Sequence, residues 1–143
     1  MNMLLSQGYT VLVIENSEAA IQSLRHRQIP FIYGDADAEQ VLEKTHLTTA
    51  KALAIALPDP ISTRLLLQRA LIHSPRLDII ARSHTDQEID LLTQLGAREV
   101  VQPEFEAAME LGAHLLHTLG EEAGEIQAVL ETIRRDRYQS VRG

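Results

Sequence analysis

Short apolar runs recur along this chain about every twenty to twenty-five residues, each followed by a stretch of helical periodicity, and few folds accommodate that alternation. The runs occupy residues 10–15, 30–33, 52–57, 77–82 and 99–102. Each is apolar on both faces, as expected of parallel strands covered by helices on both sides. The segments between them carry their own punctuation. Thr85-Asp86-Gln87-Glu88 has the form of a capping box, followed by Ile89, Leu92 and Leu95 on one face and a stop at Gly96. Pro103 opens the next helix, whose apolar stripe of Phe105, Ala108, Met109, Gly112, Leu115, Leu116 and Leu119 ends at Gly120. A last amphipathic segment sets Ile126, Val129, Leu130 and Ile133 on one side. The expected architecture is α/β: a doubly wound parallel sheet of about five strands over residues 1–120, with an appended amphipathic helix over residues 121–143 suited to a dimer contact.

With 143 residues and 45% hydrophobic content, the chain has the size of one domain and can form a core without disulfides or structural metal. No apolar run nears the ~20 residues of a membrane span. The richest, residues 65–72, is interrupted by Gln68 and Arg69. Solubility, cytoplasmic placement and no direct membrane insertion are therefore expected, since the sequence shows no export signal and contains no cysteine. The absence of cysteine excludes thiol catalysis and thiolate metal sites. A net charge of −7 argues against nucleic acid as a partner, and Arg134, Arg135 and Arg137 read as cations complementing a helix end. His114 and His117 lack the cysteine or paired acids of a metal site and read as solvated or interface histidines.

Ligands of open parallel sheets bind beyond the carboxyl ends of the strands. There the sequence places Glu15 and Asn16, then Gly34, Asp35 and Ala36, then residues 56–59 beginning with Ala56, then Arg82, Ser83 and His84, then residues 102–104. Glu15 either accepts two hydrogen bonds from a ribose diol or caps the helix that starts near Ser17. Gly34 allows a flat ring to approach the backbone or supports a turn, and Asp35 either bonds a base or sugar or caps the following helix. Arg82, leaving an apolar strand, requires a carboxylate or an anionic ligand. In a dinucleotide-binding βαβ unit, G-x-G-x-x-G follows strand one and a ribose-binding acid ends strand two. Glu15 takes the place of that acid, and residues 1–8 (MNMLLSQG) read as the last turns of the helix between them, so the sequence is expected to start one strand into such a unit.

Five strand ends in order carry a more specific resemblance: VLVIE to Glu15, IYGDA to Ala36, LAIALPD to Asp59, LDIIARSH to His84 and LGAREVVQPE to Glu104. Over about residues 3–120 the chain resembles the regulator-of-potassium-conductance domain of the TrkA-N type, most closely the cytosolic domains of Kef-type monovalent cation/proton antiporters. The resemblance implies a Rossmann-like, non-enzymatic sensor that binds an adenine nucleotide such as AMP or NAD(H), forms a homodimer and regulates a membrane-embedded cation transporter or channel subunit. It further implies that Glu15, with Asn16 beside it, holds the adenosine ribose. Asp35 and Ala36, next to Gly34, would flank the adenine, Ala56 would border the middle of the cleft, and Arg82 would line its far side.

Two departures shape the expectation. The glycine loop that would cradle a pyrophosphate has no counterpart, so nucleotide binding is expected to be weak or absent. Carboxylates that build a calcium switch in some relatives give way to Arg82 and His84. In the strand order 3-2-1-4-5-6 the strand without a counterpart is central. Either the gap closes, giving order 2-1-3-4-5 in this chain's numbering, or another chain supplies a strand, or the fold is destabilised. The main alternative function is a ligand-free interaction or oligomerisation domain of the same fold. A phosphoreceiver module would need paired acids, an Asp and a Lys where Glu15-Asn16, Ala56 and Gln102 stand, and a dehydrogenase cofactor half would need the glycine loop.

Overall fold

The computed structural model describes residues 1–142, with side chains through Tyr138. Its elements run α1 (Asn2–Ser6), β1 (Val13–Glu15), α2 (Glu18–His26), β2 (Phe31–Tyr33), α3 (Glu39–Glu43), a 3₁₀ turn (Leu47–Thr49), β3 (Ala52–Ile55), α4 (Pro60–His73), β4 (Asp78–Arg82), α5 (Asp86–Gln94), β5 (Glu99–Val101), α6 (Pro103–Thr118) and α7 (Ala123–Arg142). The order is the alternating one that the sequence dictates.

Local chemistry sets the helix starts. The Ser17 hydroxyl accepts from the Ala20 N–H at 3.5 Å and caps α2. Asp59 accepts from the Ile61 and Ser62 N–H groups, both at 3.3 Å, with Pro60 in the first turn of α4. The bond from the Ser62 hydroxyl, followed by that from the Ile61 amide, holds the Asp59 carboxyl below its ordinary range. The Thr85 hydroxyl accepts from the Glu88 N–H at 3.2 Å, but only this half of the capping box forms. The Glu88 carboxylate pairs instead with the Arg64 guanidinium, and the Thr85 N–H donates to the Ser83 hydroxyl at 3.3 Å.

All strand pairings are parallel, yet the strands form two sheets. One pairs Val13 with Phe31 and Glu15 with Tyr33. The other orders β3-β4-β5, with Ala52 opposite Asp78 and Arg82 opposite Val101. No ladder among the described residues joins β1 to β3, so the closed order 2-1-3-4-5 is not formed. Regular pairing is also shorter than the apolar runs: residues 10–12 extend beyond β1, and Leu12 is 43% exposed.

The core lies on one face of the larger sheet. Ile55, Ile79, Ala81 and Val100 pack against Leu66, Leu67 and Ala70 of α4 and Ile89 and Leu92 of α5. Each large aliphatic side chain in that layer stabilises the fold by about 1.5–3 kcal/mol relative to exposure. The opposite face is open, with Ala52, Ala54, Ile80 and Val101 all exposed, so cover on both sides, expected from the apolar strands, is not what the described residues provide. Between the two sheets run side-chain ties: the Arg69 guanidinium donates to the Asp37 carbonyl, and His73 Nε2 lies 2.5 Å from Glu39 Oε1.

At the other end, α7 folds back on α5 and α6. Ile126 and Leu130 bury against Met109, while Val129 and Ile133 of the same stripe stay exposed. The α6 stripe is likewise only partly covered, since Leu115 and Leu119 are exposed. The arginines of α7 do more than complement its dipole. Arg134 pairs with Glu106 at 2.8 Å, and Arg137 reaches Asp86 at 2.5 Å and Gln102 at 2.9 Å. The Tyr138 hydroxyl donates to Glu106 at 3.0 Å and accepts from the Gln102 N–H at 3.3 Å, its ring meeting Phe105 edge to face. Burial raises the Tyr138 pKa above its ordinary value; the Glu106 carboxylate raises it further, against the lowering effect of the Gln102 N–H.

Candidate functional site: the carboxyl ends of the strands

The exits of β1 and β2 lie side by side because the strands pair in parallel, and one hydrogen-bonded group joins them. Glu15 Oε1 accepts from the Asn16 and Ser17 N–H groups, both at 3.1 Å. The Asn16 side-chain amide then donates to Asp35 Oδ1 at 2.8 Å. Across the same gap the Gly34 N–H donates to the Glu15 carbonyl at 3.0 Å. Glu15 therefore does stabilise the turn into α2, as a capping acid would. Its second carboxylate oxygen has no partner among the described residues and remains an acceptor for a ligand hydroxyl. Asp35 does not cap α3 with its side chain: the N-cap there is Ala38, which makes no side-chain cap bond, and the Asp35 carbonyl accepts from the Ala38 N–H at 3.0 Å. Its carboxylate is exposed and steered by Asn16 alone.

Gly34 has φ +152°, a backbone conformation that side chains disfavour, and an added Cβ would come within 2.7 Å of Val41 Cγ2. The missing side chain at Gly34 is thus what lets Val41 of α3 pack against this corner. Ala36, just beyond, is partly buried and packs against the main core, which anchors the loop to the larger sheet.

Residues assigned to the middle and far side of the cleft belong to the second sheet. Ala56 follows β3 and is exposed. Arg82 ends β4, where its Nη2 lies 3.3 Å from His84 Nε2, and its buried Nε has no hydrogen-bond partner. His84 Nδ1 lies 3.5 Å from Glu104 Oε1. The Glu104 carboxyl is held below its ordinary range, first by its own backbone N–H and then by His84, with the Arg82 charge adding to the effect. Pro60, Thr63, Arg82, Ser83, His84 and Glu88 border a small recess at this end of β4.

The seven residues singled out in the sequence thus fall into two groups. Glu15, Asn16, Gly34 and Asp35 are joined by direct hydrogen bonds, whereas Ala56 and Arg82 stand on the other sheet and Ala36 serves packing. Sequence reasoning missed the link from Arg82 through His84 to Glu104 and the role of Gln102, which is buried and joins β5 to α7. A buried amide at a strand exit was the available signal for Gln102; the strand-end pattern sets His84 and Glu104 at the same edge of the sheet but does not say that they meet. Among the described residues no group of three or more His, Cys, Asp or Glu could hold a metal ion, and His114 pairs with Glu110 at 3.1 Å. No helix among them is long and apolar enough to cross a membrane.

Known proteins resemble this chain in sequence and fold. The chain is 33% identical over 123 residues to the putative cation/proton antiporter YbaL of Escherichia coli, covering 86% of this chain and 22% of that protein. It is 30% identical over 139 residues to the glutathione-regulated potassium-efflux system protein KefC of Klebsiella pneumoniae, covering 97% of this chain and again 22% of the relative. The chain therefore spans about a fifth of the length of these relatives. Among solved structures, the Kef C-terminal domain of Shewanella denitrificans in its AMP-bound form superposes with a TM-score of 0.81 at 25% identity, covering 98% of this chain and 86% of that one. Residues 1–103 match the family model of the TrkA-N domain, and with that match over most of its length the chain belongs to the TrkA-N domain family.

Proposed function

We propose that this chain is the cytoplasmic, ligand-sensing regulatory domain of a cation/proton antiporter or potassium transport system, and that it takes an adenine nucleotide at the exits of β1 and β2. One observation carries the reading: Glu15 and Asp35, drawn together by Asn16, each offer a free carboxylate oxygen at the adjoining exits of β1 and β2. Ribose hydroxyls and an adenine amino group are donors that suit such acceptors. The AMP-bound Kef domain supports the same ligand class, and the KefC and YbaL relatives support the same kind of transport partner. The role is binding without catalysis, and nucleotide occupancy acts on transport through rearrangement of a homodimer.

Calorimetry with AMP, adenosine and NADH tests this directly. AMP and adenosine bind weakly, NADH gains little from its second half, and Glu15→Gln, which can still accept the Asn16 and Ser17 amides through its side-chain carbonyl, loses most of the binding. Unchanged AMP affinity in Glu15→Gln refutes the placement. A second reading, a ligand-free oligomerisation domain, draws on the exposed Leu111 and Leu115 of α6, Leu119 just beyond it, and Val129 and Ile133 of α7, which a two-fold related copy could bury. Sedimentation at tens of micromolar showing a dimer, together with no calorimetric response to AMP, favours that reading.

A further inference from the structure

Arg82 and His84 stand two residues apart at the exit of β4, and only a neutral histidine can make their contact a hydrogen bond. A guanidinium has donors and no acceptor. The 3.3 Å contact between Arg82 Nη2 and His84 Nε2 is therefore a hydrogen bond only if Nε2 is the unprotonated acceptor of a neutral imidazole. In that form the proton is on Nδ1, which faces Glu104 Oε1 at 3.5 Å, so one neutral tautomer is compatible with both contacts. Arg82 is meanwhile held incompletely, because its Nε is buried without a hydrogen-bond partner.

We propose that His84 is a positioning residue which holds the Arg82 guanidinium while neutral and releases it towards an anionic ligand when protonated, so that the far side of the strand-end cleft takes a phosphate-bearing ligand more strongly as pH falls. The inference rests on the nucleotide reading above for the identity of that ligand. Protonation at Nε2 replaces the acceptor with a donor and sets a second positive charge against Arg82, while the ring gains an ion-pair partner in Glu104, whose Oε1 lies 3.5 Å from Nδ1. Other charged groups near this corner are already engaged. Glu88 of α5 pairs with Arg64 of α4, Asp86 of α5 with Arg137 of α7, and Asp59 caps α4, which leaves Glu104 of α6 as the carboxylate that meets the imidazole. Proton and anion then favour each other's binding by linkage.

The test compares AMP binding by the wild-type chain and by His84→Gln from pH 8.0 down to pH 5.5. The phosphate of AMP also titrates in this range, and the variant measured in parallel removes that contribution. Wild-type affinity rises relative to His84→Gln by roughly fivefold or more across the range. Equal pH slopes in the two proteins overturn the proposal. Ligand-free NMR supplies a second readout: the Arg82 side-chain signals shift in step with protonation of the His84 ring. Arg82 signals indifferent to that titration overturn the latch even if AMP binds. If AMP binds neither protein at any pH while the Arg82 signals follow His84, the nucleotide reading fails and the latch stands.

Discussion

Replacing Gly34 with alanine should separate two costs that the structure superimposes at the exit of β2. The backbone there has φ +152°, which an alanine adopts only with strain of about 1–3 kcal/mol. The new Cβ would also lie 2.7 Å from Val41 Cγ2, well inside ordinary contact. Val41 is 9% exposed on α3, and its β-branched side chain has little rotamer freedom in a helix, so it yields poorly and the overlap adds about 1–3 kcal/mol. Gly34→Ala is therefore expected to cost about 2–6 kcal/mol. Val41→Ala alone loses about 1.5 kcal/mol of buried aliphatic surface. In the double variant the overlap is gone and the backbone strain remains, so the pair should cost about 1–3 kcal/mol less than the sum of the singles. Urea unfolding followed by circular dichroism gives all four corners of the cycle. A Gly34→Ala protein within about 0.5 kcal/mol of wild type, or additivity within that margin, would refute the reasoning.

Leu67, fully buried in the layer between α4 and the larger sheet, should cost about 2–5 kcal/mol on replacement by alanine, read from the same urea midpoints. Alkaline pH should loosen α7. The pKa of Tyr138 is raised in the folded state, so its contribution is fully present below the ordinary tyrosine value near 10 and is lost as pH climbs through the folded value. Tyr138→Phe should flatten that loss, and a melting temperature with the same dependence on pH above 9.5 in both proteins would contradict it.

Much of the fold was legible because its determinants are local. Helix starts at Ser17 and Thr85 follow from side chains within three residues of the amides they serve. The parallel pairing follows equally from the alternation of strand and helix. What stayed hidden depends on distant partners. Glu88 completes a capping box on paper, but Arg64, twenty-four residues away, takes its carboxylate. Covered sheet faces were expected from apolar strands, yet Ile80 and Val101 face outward, because apolarity states a need for cover and not its source. In the candidate site, Glu15 and Asp35 could be read from their strand-end positions, whereas the bridge by Asn16 depends on the register of β1 against β2.

The division into two sheets has a dynamic consequence. Strand ladders transmit cooperativity through shared backbone hydrogen bonds, and here the β1–β2 pair shares none with β3. Its coupling to the larger sheet runs through Arg69 and Asp37, His73 and Glu39, and the burial of Leu42 in the main core. The amides of Ile14 and Ile32 should therefore exchange with solvent through a local opening of lower free energy than those of Ile79 and Ala81, which are released only with the whole core. A ligand gripped by Glu15 and Asp35 would deepen protection first in the less stable unit, making hydrogen exchange there a direct report of occupancy.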